Sequence, residues 1–136
     1  MIPQVITPIF IENGLNEDSI GWKKAMYFDV AKGSYRRVIV KLTIPKDALL
    51  VLGRNKCRAS YAKVEGIYPS SRYHKEPPAV LPITEAESWY TFPFGKFLYT
   101  VGQYVYPDLF SMNAEVCAHG IHFFRTYLEA AHYNFS

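Results

Sequence analysis

A chain of 136 residues that is 49% hydrophobic, 16% aromatic and only 20% charged can form one core, burying roughly two-thirds of the surface of its unfolded form, so wholesale disorder is excluded. No run approaches the roughly 20 apolar residues that span a bilayer, and the start lacks the basic and apolar pattern of a signal peptide; the chain reads as soluble and intracellular. The formal charge of +3 is unevenly spread, with eleven basic and two acidic residues between Trp22 and Val64 and four basic against ten acidic elsewhere.

The first stretch, "MIPQVITPIFIENGLNEDS", is apolar but carries Pro3 and Pro8, which remove backbone donors and exclude a helix interior or central strand. Residues 1–20 are therefore expected to form an extended arm. Its Ile6, Ile9 and Phe10 could lie against their own domain or add to the sheet edge of another chain. The remainder, 21–136, reads as a single globular domain.

Two strands are predicted next, "WKKAMYFDV" and "RRVIVKLTI", joined by a turn at Gly33. In the second, Val38, Val40, Leu42 and Ile44 share one face and Arg37, Ile39, Lys41 and Thr43 the other, the pattern of a half-buried strand. Pro45 ends it, and "KDALLVLGRN" is expected as a turn or short helical piece. "KCRASYAKVEGIY" begins another strand with Ala62 and Val64 inward, and strict alternation places Cys57 on the opposite, Lys63 side. The basic residues are threaded through this alternation as on solvated strand faces, which ranks nucleic acid below protein as a partner.

Residues 68–95 hold five of the nine prolines, and their short apolar pieces look too broken for regular elements. A loop this long in a small domain tends to be functional or bound to something. Tyr73, Trp89, Tyr90 and Phe92 lie between its prolines and Phe94 directly follows the last, a composition suited to contacts with other chains. "KFLYTVGQYVYPDLF" follows as two short strands around Gly102. The tail gives a strand, "GIHFF", and a helix, "TYLEAAHY", with Thr126 as N-cap, Glu129 completing a capping box, and Tyr127, Leu128 and Ala131 inward.

Three pieces, "NKCRASYAKV" (55–64), "YTVGQYVYPDLF" (99–110) and "CAHGIHFFRTYLEAAHY" (117–133), resemble a family of small domains of unknown function encoded by phages and large DNA viruses. The likeness begins near "GWKKA" and covers most of the chain after the arm; the arm, 69–93 and His119 depart from it. The resemblance implies a viral origin and a shared fold, and it carries over no catalytic residue. The tail alone also resembles diphtheria-toxin-like ADP-ribosyltransferases, at Gly120, Ile121, His122, Phe123, Ala131 and Tyr133. His122 stands where those enzymes place a tyrosine against the nicotinamide, and their His-Gly motif has no upstream equivalent here.

The residues themselves offer three chemical readings. Cys57, Cys117, His119 and His122 have the atoms for tetrahedral zinc but lack two closely spaced ligand pairs, so no metal is expected. Cys57 beside Arg58, or Cys117 with His119 or His122 as base, could form a nucleophile, yet no oxyanion loop accompanies them. Glu85 and Glu87 read as solvated loop carboxylates. Cys57, Arg58, Cys117 and His122 remain the candidate functional cluster, without a catalytic assignment or a cofactor. The expectation is an α+β domain, mainly antiparallel sheet with a short C-terminal helix. Its expected role is a non-enzymatic viral interaction module, virion-associated or a minor capsid component, located in the host cytoplasm, the particle or both. The alternative is an ADP-ribosyltransferase-like NAD-binding domain.

Overall fold

The period-two alternation of Val38, Val40, Leu42 and Ile44 becomes the inner face of a long strand, β3 (Ser34–Ile44), which pairs antiparallel along its whole length with β2 (Ser19–Asp29). The connecting turn closes with Lys32 N–H donating to Asp29 O and Gly33 N–H to Val30 O. Gly33 adopts a φ of 64°, a region in which a side chain would be strained. The computed structural model describes residues 9–12, 18–52, 56–91, 94–107 and 120–133.

Residues expected as a turn or helical piece instead give β4 (Leu49–Leu52), after a short turn in which Ala48 N–H donates to Pro45 O. A continuous apolar run such as Leu-Leu-Val-Leu fits a strand covered on both faces, as the burial of adjacent Leu50 and Val51 shows, and β4 is paired on both edges, with β1 (Ile9–Glu12) and β5 (Lys56–Ala59). Part of the N-terminal arm thus joins the chain's own sheet, with Ile9 opposite Leu52 and Phe10 opposite Val51. Ile6 lies outside the described residues.

The strand expected from Lys56 onward is two strands. Ser60 breaks it, its Oγ accepting from Leu49 N–H at 2.9 Å while its own N–H donates to Leu49 O. Beyond the break, β6 (Ala62–Pro69) leaves β5 and pairs with β3. The bend resets the alternation, so Cys57 faces the core with Ala59 rather than joining the Lys63 side. A second reset, a bulge opposite Lys41 and Leu42, explains why Val64 and Ile67 both point inward although they are three residues apart.

The segment expected to be loop through residue 95 is loop only up to Thr84. It continues as β7 (Glu85–Thr91), which forms an antiparallel hairpin with β8 (Phe94–Thr100) and also pairs with β2. Trp89 and Tyr90 therefore belong to β7 and Phe94 to β8, while Phe92 lies outside the described residues. Glu87, expected to be solvated, is buried on β7 opposite Met26. Gly102, at φ 87°, turns the chain into β9 (Tyr104–Val105), which pairs with β6. Around that turn Gly102 N–H donates to Val64 O, Val64 N–H to Gln103 O, and Val101 N–H to Thr84 O. These bonds tie the end of β8 to β6 and close a barrel-like ring running β2, β3, β6, β9 with β8, and β7 back to β2.

The ring is filled by Ala25, Val38, Val40, Leu42, Ile44, Val64, Ile67, Ala86 and Tyr99, all buried. Tyr99 brings one polar atom inside, satisfied by Ser88 Oγ–H at 3.2 Å. The last strand, β10 (Ile121–Phe124), inserts between β5 and β2, and the chain ends in α1 (Tyr127–His132) packed on the outer face of the sheet. Thr126 caps α1 by accepting from Glu129 N–H at 3.1 Å, and its hydroxyl donates to Glu129 Oε1. Tyr127, Ala130 and Ala131 are the buried helix residues; Leu128 is half-buried. The mainly antiparallel sheet with one short C-terminal helix is the architecture expected from sequence.

Candidate functional site

The sheet separates the cluster singled out by sequence. Cys57 pairs with Phe123, and both side chains enter the ring-side core, where Cys57 is fully buried among Leu50, Ala59 and Ile121. Arg58 pairs with His122, one residue along each strand, so these two point to the opposite face. Burial lowers the pKa of Arg58 from its ordinary value. Cys117 and His119 lie outside the described residues. Among the described residues no group of three or more His, Cys, Asp or Glu side chains could hold a metal ion.

The outer face of β2 and β3 carries a different arrangement, built from rings and cations. Ile39, Phe124, Tyr127, Ala130 and Ala131 form a small second core under α1, flanked by Trp22, Tyr68 and Tyr133. Trp22 meets Tyr127 and Tyr68 edge-on at 5.7 and 5.8 Å. Lys41 Nζ lies 5.7 Å from the Trp22 ring centre and Lys56 Nζ 4.9 Å from that of Tyr133, so both cations are seated on aromatic faces.

Lys24 is the most enclosed cation of this face, with only 2% of its surface exposed. Its Nζ donates to Ala131 O at 2.8 Å and to Tyr133 O at 2.7 Å, placing a positive charge on the carbonyls that end α1. Burial, followed by the like charges of Arg37 and Arg72, lowers its pKa to about 8. The two carbonyl acceptors act the other way by favouring the ammonium.

Beside Lys24 opens a cavity of about 430 Å³ lined by Lys24, Arg37, Ser70, Ser71, Arg72 and Tyr73, with Ala131 at its helix side. Its walls come from separate segments of the chain. Arg37 comes from the outer face of β3, Lys24 from β2, and the remaining groups from the loop that leaves β6 at Pro69. That loop is fastened to α1: Tyr127 O–H donates to Pro69 O, Ser71 N–H donates to Tyr127 Oη at 2.9 Å, and His132 Nε2 lies 3.3 Å from Arg72 O. Ser71 Oγ and His74 Nδ1 are hydrogen-bonded at 2.7 Å, and Tyr73 N–H donates to Ser71 Oγ. The loop thus presents Arg72 and Tyr73 outward from a fixed base, Tyr73 being 95% exposed. Sequence reasoning selected Tyr73 for its aromatic ring and missed Lys24, Arg37 and Arg72. Lys24 and Arg37 stand in period-two strand patterns, and the cavity exists only because a loop returns over them.

The fold and this site define a small antiparallel β domain whose outer face concentrates cations under a C-terminal helix. Residues 7–130 match the family of unknown function DUF5758, and the chain belongs to that family. No curated protein and no solved structure matches it.

Proposed function

We propose that the chain is a non-enzymatic interaction module of viral origin, virion-associated or a minor capsid component, that docks on other protein chains in the particle, the host cytoplasm or both. The viral part rests on the motif resemblance around 55–64, 99–110 and 117–133. The docking part is supported chiefly by a group of tyrosines outside the core. Tyr61 and Tyr106 stack with ring centres 5.6 Å apart and planes 10° apart, and Tyr104 lies 6.0 Å from Tyr61. Tyr104 and Tyr106 nevertheless remain 52% and 63% exposed.

Rings already packed on one another lose little freedom on docking, so their apolar area converts efficiently into affinity. The hydrogen bond from Tyr61 O–H to Asp47 further fixes the group and, with burial, raises the Tyr61 pKa to about 12, keeping the phenol neutral. A second exposed pair, Phe28 and Tyr35, sits 5.2 Å apart at the base of the β2–β3 turn.

The test combines proteomics of purified particles with cross-linking. The chain should be present, with cross-links mapping to the 104–106 surface and lost in a Tyr104→Ser/Tyr106→Ser variant; particles without the chain would remove the virion reading. The ADP-ribosyltransferase alternative is separated by an NAD-hydrolysis assay, in which no turnover is expected. Turnover abolished by His122→Ala would replace the docking role with the enzyme.

A further inference from the structure

We propose that the cavity between Lys24, Arg37 and Arg72 is a phosphate-binding site, for a dianionic phosphate either free or carried as a monoester on a small molecule. The site is independent of the docking role, since it lies on the outer face under α1 and uses none of the 61, 104 and 106 tyrosines.

Charge is the first reason. Three cationic side chains from three segments converge on one small volume, and among the described residues no carboxylate lines it. Converging like charges raise the free energy of the folded chain; the pKa of Lys24, lowered first by burial, is lowered further by Arg37 and Arg72. An anion in the cavity reverses the sign of the effect. A carboxylate brings one negative charge, whereas a phosphate monoester brings about −1.5 to −2 near neutral pH and comes closer to balancing three cations.

Donor chemistry is the second reason. Guanidinium groups match phosphate oxygens through paired N–H donors, and two arginines line the cavity together with the hydroxyl-bearing Ser70 and Ser71. Lys24 supplies charge from the inner wall; its anchoring on Ala131 O and Tyr133 O fixes where that charge sits. Lys41 and Lys56 of this face are seated on Trp22 and Tyr133 and do not line the cavity. A volume of about 430 Å³ suits a small molecule, with Tyr73 at the rim available to pack on whatever the phosphate carries.

The decisive measurement is titration calorimetry of the full chain at low salt with inorganic phosphate, AMP and adenosine as separate probes. Saturable one-to-one binding of phosphate or AMP is expected, with adenosine showing none. AMP binding more tightly than inorganic phosphate assigns the site to a monoester, and equal affinities assign it to the free ion. Arg37→Ala and Arg72→Ala, both at exposed positions and checked for unchanged melting, should each weaken binding about tenfold. Arg36→Ala is the control: Arg36 is the neighbouring exposed arginine, paired with Asp29 at 3.7 Å, and its loss should leave affinity unchanged. Absence of saturable binding by both phosphate and AMP overturns the proposal. So do adenosine binding as tightly as AMP, affinity that survives both cavity substitutions, and an equal loss in the Arg36→Ala control.

Discussion

The two faces of the β2–β3 hairpin are made from the same residues in alternation, yet they do different work. Toward the ring, Ala25, Val38, Val40, Leu42 and Ile44 are apolar and fully or almost fully buried, with the ionisable Lys23 of β2, opposite Val40, on the same side. Toward α1, Trp22, Lys24, Arg37, Ile39 and Lys41 mix cations with apolar groups, and part of that face is covered by rings and by the C-terminal end of the helix. Burial on the inner face offsets chain entropy, while the outer face fixes Lys24 on two carbonyls and Lys41 on a ring. Among the described residues, Lys24, Arg37 and Arg72 converge on the outer face around a cavity open to solvent.

The sharpest way to break the inner face is Leu42→Ala. Removing a fully buried leucine from a closed ring should lower unfolding free energy by about 2 to 5 kcal/mol in urea titrations. The corresponding test of the outer face is Lys24→Met, which keeps the apolar stem and removes two charge-assisted bonds to the end of α1; a loss of about 1.5 to 3 kcal/mol is expected. In a Trp89→Phe background, Trp22 emission should also change in this variant, because Trp22 touches Tyr127 of the loosened helix, whereas Leu42→Ala should leave native emission unaltered.

Gly21→Ala probes the seam between β10 and the hairpin. A Cβ there would lie 2.6 Å from Phe123 Cδ2, so the ring must move, at about 1 to 3 kcal/mol. Thr126→Ala should cost about 1 kcal/mol through the lost cap and be confined to α1, visible as faster amide exchange in residues 127–132.

The remaining expectation concerns pH dependence. Folding lowers Lys23 to about 7, through burial and then the charge of Lys56, and Lys24 to about 8 from 10.5. Between those values and 10.5 the unfolded chain binds more protons, so stability from these groups rises with pH across that window. Burial raises Tyr99 inside the ring to about 12 from 10.0, so above pH 10 the folded chain binds more protons and stability falls. Urea midpoints should therefore climb from neutral pH to about 10 and then decline. Tyr99→Phe should blunt the decline, and Lys24→Met should flatten part of the climb.

How much was legible in the sequence differs along the chain for physical reasons. Val38 to Ile44 could be read directly because strand alternation is a local property and no bulge interrupts β3 itself on its inward side. The α1 helix was equally legible, since its cap is a three-residue hydrogen-bond relation between Thr126 and Glu129. The β4 strand was not, because "LLVL" has no period and only neighbours on both edges make it a strand. The β7–β8 hairpin was hidden by flanking prolines, which mark the ends of its surroundings while leaving Glu85 to Thr91 free to pair. Cys57 and Arg58 looked like a joint site because they are adjacent in sequence, but adjacent residues of a strand face opposite sides.

By itself the sequence determined a largely antiparallel sheet, the inner face of β3, the capped terminal helix and an excess of cations between residues 22 and 64. Tertiary structure alone decided which of those cations meet. Lys24, Arg37 and Arg72 come together because β2 and β3 are paired, the chain turns back after Pro69, and Tyr127 holds the returning loop, all relations between residues distant in sequence. Local preference is encoded residue by residue; convergence of charge is a property of the closed chain.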